Sequence, residues 1–173
     1  MYYLLTQTIG FVGLVAFILS FQCKSSKRLI LLFLYSNICY AIQFIMLGGY
    51  SAGMTGMIAA TNNVVQYYAG KKWADWRGWR PVFCGLYVVA MVVTWSGWLS
   101  LLPCVASIVG NLVMWSRNGR LIRLSRLIIV SPCWLIYGAC MGSLVGIVGQ
   151  LLSIGSVLIS IRRYGLKELD QVS

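Results

Sequence analysis

The sequence has no histidine and only three acidic residues, against fourteen lysines and arginines. The absence of histidine excludes Ser-His-Asp and Cys-His nucleophiles, histidine metal sites and histidine proton relays. Charged residues make up 10% of the 173 residues, whereas a soluble domain keeps roughly a quarter of its residues charged. With 60% hydrophobic residues and a mean hydropathy of +0.82, the chain is predicted to be an integral membrane protein without enzyme activity.

Two other patterns limit the partners. The six cysteines form no C-x-x-C pair and lie mostly in apolar runs, so neither zinc nor a disulfide framework is expected, and we predict no metal and no cofactor. A net charge of +11 would suggest nucleic acid in a soluble chain, but here the lipid bilayer is the better partner. We therefore expect anionic lipid headgroups, and no nucleic acid, at the basic face.

Long apolar runs divide the chain into seven candidate transmembrane helices. Several are shorter than the roughly 20 residues that cross a bilayer, so their ends must extend into the interface. The runs lack the alternation of a β-barrel, and the predicted fold is all-α. They cover residues 4–22, 29–47, 52–69, 81–95, 99–115, 127–141 and 144–161.

The connectors between these runs alternate strictly between uncharged and basic. All fourteen basic residues lie in four connectors, at 24–28, 71–80, 117–126 and 162–167. Seven crossings place these four connectors on one side. Because short loops rich in Lys and Arg stay cytoplasmic, we predict a multi-pass protein of the bacterial inner (plasma) membrane with its amino terminus outside and its carboxyl terminus in the cytoplasm.

The chain also resembles itself at a period of about 91 residues. The stretch from Gln43 to Lys72 runs beside the stretch from Trp134 to Arg163, which predicts two copies of a three-helix unit. Three crossings would invert the second copy, and a fourth helix restores its direction, so the two bundles are expected to be parallel. The predicted parts are a first bundle at 1–72, a basic loop and linker helix at 73–98, a second bundle at 99–164 and a cytoplasmic tail at 165–173.

These features resemble two known groups. The 3+1+3 arrangement with Trp-x-x-Tyr-Gly at 134–138 resembles the SWEET, SemiSWEET and PQ-loop superfamily. Nearly the whole chain is more closely similar to the YgjV-type bacterial inner-membrane proteins, through Gly10 to Gly13, Leu47 to Gly53 and Pro132 to Ile136. The second resemblance implies a fold more than a function. Because the first copy contains no proline, a symmetric proline-hinged motion is not expected.

The superfamily resemblance implies where a solute would bind. In that group an aromatic side chain of the Trp-x-x-Tyr-Gly helix and an amide one helix later hold the solute, which implies Trp134 and Gln150 here. The repeat offset gives Gln43 and Ala59 as their counterparts, with Tyr137 as a weaker candidate. Trp134 is alternatively a packing residue.

Polar stripes lead to the same region independently of the resemblance. Thr55, Ala59, Asn62 and Gln66 follow one face of the third helix, and Gly149, Ser153, Ser156 and Ser160 follow one face of the seventh. Such groups must face each other or a wet cavity, although they could equally be bonds between helices. The candidate substrate-binding residues are therefore Gln43, Asn62, Trp134, Tyr137, Gln150 and Ser153.

Two functions remain open at this point. The first is a SWEET-like facilitator that moves a small neutral polar solute, similar to a sugar or a nucleoside, by alternating access, since no acid lies at depth for proton coupling. The second is a membrane scaffold that keeps the fold and transports nothing. The scaffold predicts a sealed centre, with Asn62 and Gln150 bonded to neighbouring helices. The sequence leaves the solute, the direction of flux and homo-oligomer formation open.

Overall fold

The computed structural model describes residues 1–20, 26–116 and 119–168. Within these ranges the chain forms seven helical rods and no strand, which confirms the all-α prediction. The sixth rod has three parts, because α6, a π-helical turn and α7 follow one another without a break. The elements are α1 (Tyr2–Ser20), α2 (Ser26–Met46), α3 (Tyr50–Tyr67), α4 (Trp79–Val93), a 3-10 turn (Trp98–Ser100), α5 (Leu101–Ser116), α6 (Gly119–Ser125), the π-turn (Arg126–Val130), α7 (Ser131–Cys140) and α8 (Leu144–Glu168).

The surface and the interior have the polarity of a membrane protein. Large apolar side chains such as Val93, Ile128 and Ile159 are more than 60% exposed on the outer faces of the rods. Of the residues whose burial is described, twelve polar side chains are buried, and most of them are small. Lipid tails can cover such an apolar exterior. By length and composition, three stretches can cross a membrane by themselves, Tyr2–Ser20, Trp98–Ser116 and Arg120–Cys140, while other apolar helices are shorter.

The rods contact one another in a closed ring. Along the ring, α1 packs on α2, α2 on α3, α3 on α5, α5 on α7, α7 on α8, and α8 returns to α1. The remaining rod, α4, packs against α3 and α5 from outside the ring. Small residues allow the close contacts: a Cβ at Gly13 would lie 2.8 Å from Cys39 Cβ, and one at Gly56 would lie 3.0 Å from Ala41 Cβ. The ring leaves a space at its centre.

The two ends of the ring differ in charge. At one end the Tyr2 and Tyr3 hydroxyls donate to the carbonyls of Met46 and Gly142, which brings the amino terminus to the turns after α2 and α7. We call this the uncharged end. At the other end the Arg80 guanidinium donates to the Trp115 carbonyl at 3.1 Å, joining the start of α4 to the end of α5. We call this the basic end.

Two matching turns close the uncharged end. After α2 the Gly48 and Gly49 N–H groups donate to the Ile45 and Phe44 carbonyls, and after α7 the Gly142 and Ser143 N–H groups donate to the Ala139 and Gly138 carbonyls. Both patterns are Schellman motifs, with Gly48 at φ 81° and Gly142 at φ 70°. These two glycines are 94 residues apart, from 48 to 142, so the offset of about 91 residues does not align the two turns.

The π-turn has a local cause in the sequence. Pro132 has no N–H, and its ring clashes with the carbonyl four residues earlier, that of Ile128. The Ser131 N–H donates instead to the Arg126 carbonyl, five residues back. One extra residue is thereby accommodated in the middle of the sixth rod.

Candidate functional site

A central cavity of about 470 Å³ lies inside the ring and is lined by residues from all seven rods. This volume is in the range of small-molecule sites. Toward the basic end its wall includes Ile30, Gln66 and Met114, which also border a second cavity of about 380 Å³ that reaches Asp75 and Trp115. The second cavity therefore adjoins the central cavity on the side of the basic end.

Four of the six sequence-predicted site residues line this cavity, namely Asn62, Trp134, Gln150 and Ser153. The whole predicted stripe of α3, from Thr55 to Gln66, also faces it. The stripe of α8 does not form one face, because Ser153 is buried at the cavity whereas Ser156 is exposed. The side chain of Ser160 lies outside the described residues.

Gln43 lies away from the cavity, between α1 and α2. It is fully buried, and its Nε2 donates to Gln7 Oε1 at 3.2 Å. A Cβ at Gly10 would collide with its amide, so the α1 glycine makes room for this side chain. The structure therefore does not place Gln43 opposite Trp134.

Gln7, which the sequence analysis missed, connects both halves of the chain at the uncharged end. Its Nε2 donates to the Gly142 carbonyl at 3.0 Å, and its Oε1 accepts from Gln43 and from the Val145 N–H at 3.4 Å. α1 and α2 are thereby tied to the turn between α7 and α8. A single glutamine in an apolar run was the only available signal.

Aromatic rings close the cavity at the uncharged end. Phe44 lies 5.5 Å from Tyr137 and 5.8 Å from Trp134, measured between ring centroids. Tyr137 is 2% exposed and does not line the cavity, because it packs behind Phe44 and Ala52 in this cluster. We call the rings of Phe44, Trp134 and Tyr137 the aromatic seal. Tyr137 lies in this seal only, whereas Trp134 belongs both to the seal and to the cavity wall.

Asn62 connects three helices. Its Nδ2 donates to Asn111 Oδ1 at 3.2 Å, and Asn111 Nδ2 donates in turn to the Arg80 carbonyl at 3.3 Å. The network joins α3, α5 and the start of α4. Asn62 Oδ1 remains buried and has no hydrogen-bond partner among the described residues. Asn62 is thus partly a bond between helices and partly an unsatisfied acceptor in the cavity wall.

Other amides in the wall have no hydrogen-bond partner within the described ranges. Asn63 Nδ2 is buried without an acceptor, and the side chains of Asn37, Gln66 and Gln150 make no hydrogen bond with described groups. Burying an amide unpaired in an apolar environment costs about 2–7 kcal/mol. A wet cavity or a polar ligand would satisfy these groups.

Counting from the two turns gives a different pairing of residues from the offset of about 91. With Gly48 on Gly142, Trp134 corresponds to Tyr40 and not to Gln43, and Gln150 corresponds to Gly56 and not to Ala59. Tyr40 and Gly56 both line the cavity. Each of these two pairs therefore has both members in the cavity wall.

Comparison with protein-family models gives one match, to a family described as Imp-YgjV, bacterial inner membrane protein, over residues 4–168. The chain belongs to the YgjV family of bacterial inner-membrane proteins. The match spans all seven rods and confirms the family resemblance that the sequence indicated. No curated protein and no solved structure matches the chain. In this YgjV-family protein the cavity itself is therefore the guide to function.

Proposed function

We propose that this inner-membrane protein transports a small polar solute, of sugar or nucleoside size, by alternating access. The observation that carries the proposal is the cavity of about 470 Å³ whose wall contains unpaired amides from α2, α3 and α8. The aromatic seal at one end and the adjoining second cavity on the side of the basic end correspond to a state open to one side only. Small-residue seams between the rods allow them to slide during a change of state.

We also propose the orientation and the symmetry that such a cycle needs. The basic end faces the cytoplasm, because short basic connectors stay on that side, so the cavity is inward-facing and the amino terminus lies outside. The two three-helix units, 1–72 and 99–164, form a parallel repeat, and α4 within 73–98 is the inverting helix. The matching turns at Gly48 and Gly142 and the closed ring of contacts support this symmetry.

The scaffold alternative finds less support. It expects a sealed centre in which Asn62 and Gln150 are both bonded to neighbouring helices. Asn62 does bond to Asn111, but Gln150 faces the cavity and makes no hydrogen bond with the described residues. A cavity of solute size at the centre of the ring favours transport.

Uptake into proteoliposomes tests the proposal. Purified protein is reconstituted and offered radiolabelled sugars, nucleosides and vitamins, and their phosphorylated or acidic forms. We expect uptake of at least one class of solute, reduced at least about tenfold by Trp134→Ala and by Gln150→Ala, because stacking and a hydrogen bond to the solute are lost. Trp98→Ala is the matched control, since Trp98 is 81% exposed and lies outside the cavity wall. Uptake equal to that of protein-free liposomes for every compound, or unchanged by both cavity variants, would refute the proposal.

A further inference from the structure

Among the described residues, Arg126 is the one cation in the wall of the central cavity. Its guanidinium carbon lies 6.0 Å from the centroid of the Phe17 ring, which also lines the cavity. Among the described side chains no carboxylate pairs with it, and the Asp75 carboxylate accepts from the Gly70 N–H instead. An unpaired charge at such a place is expensive, and cations inside membrane proteins commonly mark the path of a solute.

The π-turn keeps Arg126 on the same side of the sixth rod as Trp134. An α-helix turns about 100° per residue, so the twelve steps from Ile122 to Trp134 would carry a regular helix roughly 120° away from its starting face. The extra residue of the π-turn takes back about 100° of this rotation. Ile122, Arg126, Val130 and Trp134 consequently all line the cavity. π-turns occur frequently at functional sites.

A second, independent observation at the same cavity points to a ligand. The Asn62 side chain is only 6% exposed and lines the cavity, and its Oδ1 has no hydrogen-bond partner among the described residues. Asn63 Nδ2, also in the wall, is a buried donor without an acceptor. The wall thus offers a cation, a donor and an acceptor.

We propose that Arg126 binds an anionic group, a carboxylate or a phosphate, of a small soluble solute in this cavity. The guanidinium matches the planar, forked geometry of such groups, and Asn63 Nδ2 adds a donor to them. Asn62 Oδ1 accepts from a hydroxyl or amine of the same molecule. This assignment rests on the proposed function for its cavity and replaces the expectation of a neutral solute.

Charged thiol reagents test the assignment without a known solute. A single cysteine replaces Ala59, which lines the cavity, in a background without native cysteines. Its labelling rate is measured in the full chain with a sulfonate and with a trimethylammonium methanethiosulfonate reagent. We expect the rate ratio to favour the sulfonate and to fall about tenfold with Arg126→Gln, because the local positive charge is lost. Arg126→Lys retains most of the preference. Arg120→Gln removes an exposed arginine of the same rod outside the cavity wall and is expected to leave the ratio unchanged.

Protection from labelling identifies the source of the anion. The protein with the single cysteine at position 59 and with Arg126 intact is labelled in the presence of each compound. Glucose 6-phosphate or glucuronate is expected to slow this labelling at least about tenfold more effectively than glucose. The result should be the same in nanodiscs of phosphatidylcholine and of phosphatidylglycerol. Equal protection by glucose would overturn the assignment, and so would a rate ratio that does not depend on Arg126. Loss of the preference in phosphatidylglycerol alone would identify a lipid headgroup as the occupant and would also overturn it. If Arg126→Gln fails to fold, the protection comparison decides by itself.

The outcome is separable from transport. Labelling and protection need no solute movement, so an anion-selective cavity in a protein without uptake would leave the assignment intact and remove the proposed function. Uptake of glucose without any preference for anions would support the proposed transport and remove the assignment of Arg126.

Discussion

The two ends of the helix ring are built in opposite ways. The uncharged end is closed by three aromatic rings in tilted and edge-to-face contact and by Gln7, whose amide makes three hydrogen bonds. Toward the basic end the cavity wall contains Arg126, Gln66 and Asn63, and these side chains make no hydrogen bond with described residues.

This difference shows where the polar groups of the core are used. At the closed end the amide of Gln7 bonds to α2, to the turn after α7 and to α8, so it contributes to stability, and Gln43 is bonded through its Nε2. In the cavity most amides lack partners, so they cost stability unless water or a ligand binds them. One end is closed by packed rings and hydrogen bonds, and the cavity beside it contains amides that lack partners among the described residues. This arrangement is expected of a protein that binds a polar molecule from one side.

Removing the Gln7 contacts should have the largest effect on this contrast. Gln7→Leu deletes three hydrogen bonds, two of which join the two halves of the chain, and we expect the uncharged end to open more often. A cysteine in place of Ala52, a 1% exposed residue of the cavity wall, should then react at least about tenfold faster with an impermeant maleimide added outside. Thr8→Val is the control, because the Thr8 hydroxyl only bonds its own helix, at the Leu4 carbonyl. An unchanged rate would show that the rings alone form the seal.

Straightening the sixth rod should act on the basic half of the cavity. Pro132→Ala restores an N–H, so the π-turn can relax to α-helix and Arg126 can rotate away from the cavity by about 100°. We expect the preference for the anionic thiol reagent to fall several-fold while the protein stays folded. Pro103→Ala is the control, since the helix around Pro103 contains no π-turn. Equal preference in Pro132→Ala and wild type would show that the proline does not maintain the turn.

The turn glycines should have a smaller effect, on stability alone. Gly142→Ala forces a Cβ into a left-handed backbone, and we expect the free energy of unfolding to fall by about 1–2 kcal/mol. Gly138→Ala should be neutral or stabilising by up to about 1 kcal/mol, because Gly138 is helical and a Cβ there meets no atom closer than 3.8 Å. Unfolding in mixed micelles measures both, and an equal loss would mean that the turn conformation carries no strain.

The smallest expected effect concerns the bond between Asn62 and Asn111. A double-mutant cycle with Asn62→Leu and Asn111→Leu should give a coupling energy near 0.6 kcal/mol, the average for such bonds in membrane proteins. Mixed-micelle unfolding is again the measurement. A coupling of zero would indicate that Asn62 faces the cavity only and does not hold α3 against α5.

The sequence predicted the helices well and the site in part. The seven apolar runs correspond to the seven rods, and glycines at 48 and 142 mark the turns. Asn62, Trp134, Gln150 and Ser153 all line one cavity; the superfamily resemblance implied Trp134 and Gln150, and the polar stripes indicated Asn62 and Ser153. Gln43 was paired with Trp134 because an offset of about 91 residues was used, and the turns are 94 apart, from 48 to 142.

Other parts of the site could not be predicted for physical reasons. Arg126 counted as a loop cation, since nothing in the pattern of arginines shows that a π-turn keeps it on the same side of the rod as Trp134. Gln7 and Asn111 are lone amides in apolar runs, so no stripe marks them. Their partners come from distant segments, and only the folded ring brings these together.

The glycine turns at 48 and 142 also affect how the chain enters the membrane during synthesis. Each turn is short and has no ionised side chain, so α2 with α3, and α7 with α8, can insert as hairpins whose leading edge is uncharged. Carrying one Lys or Arg through the bilayer centre costs about 2.5–3.5 kcal/mol on the translocon scale. A basic residue in either turn would therefore hinder membrane insertion of the hairpin that contains it, whether or not the protein transports a solute.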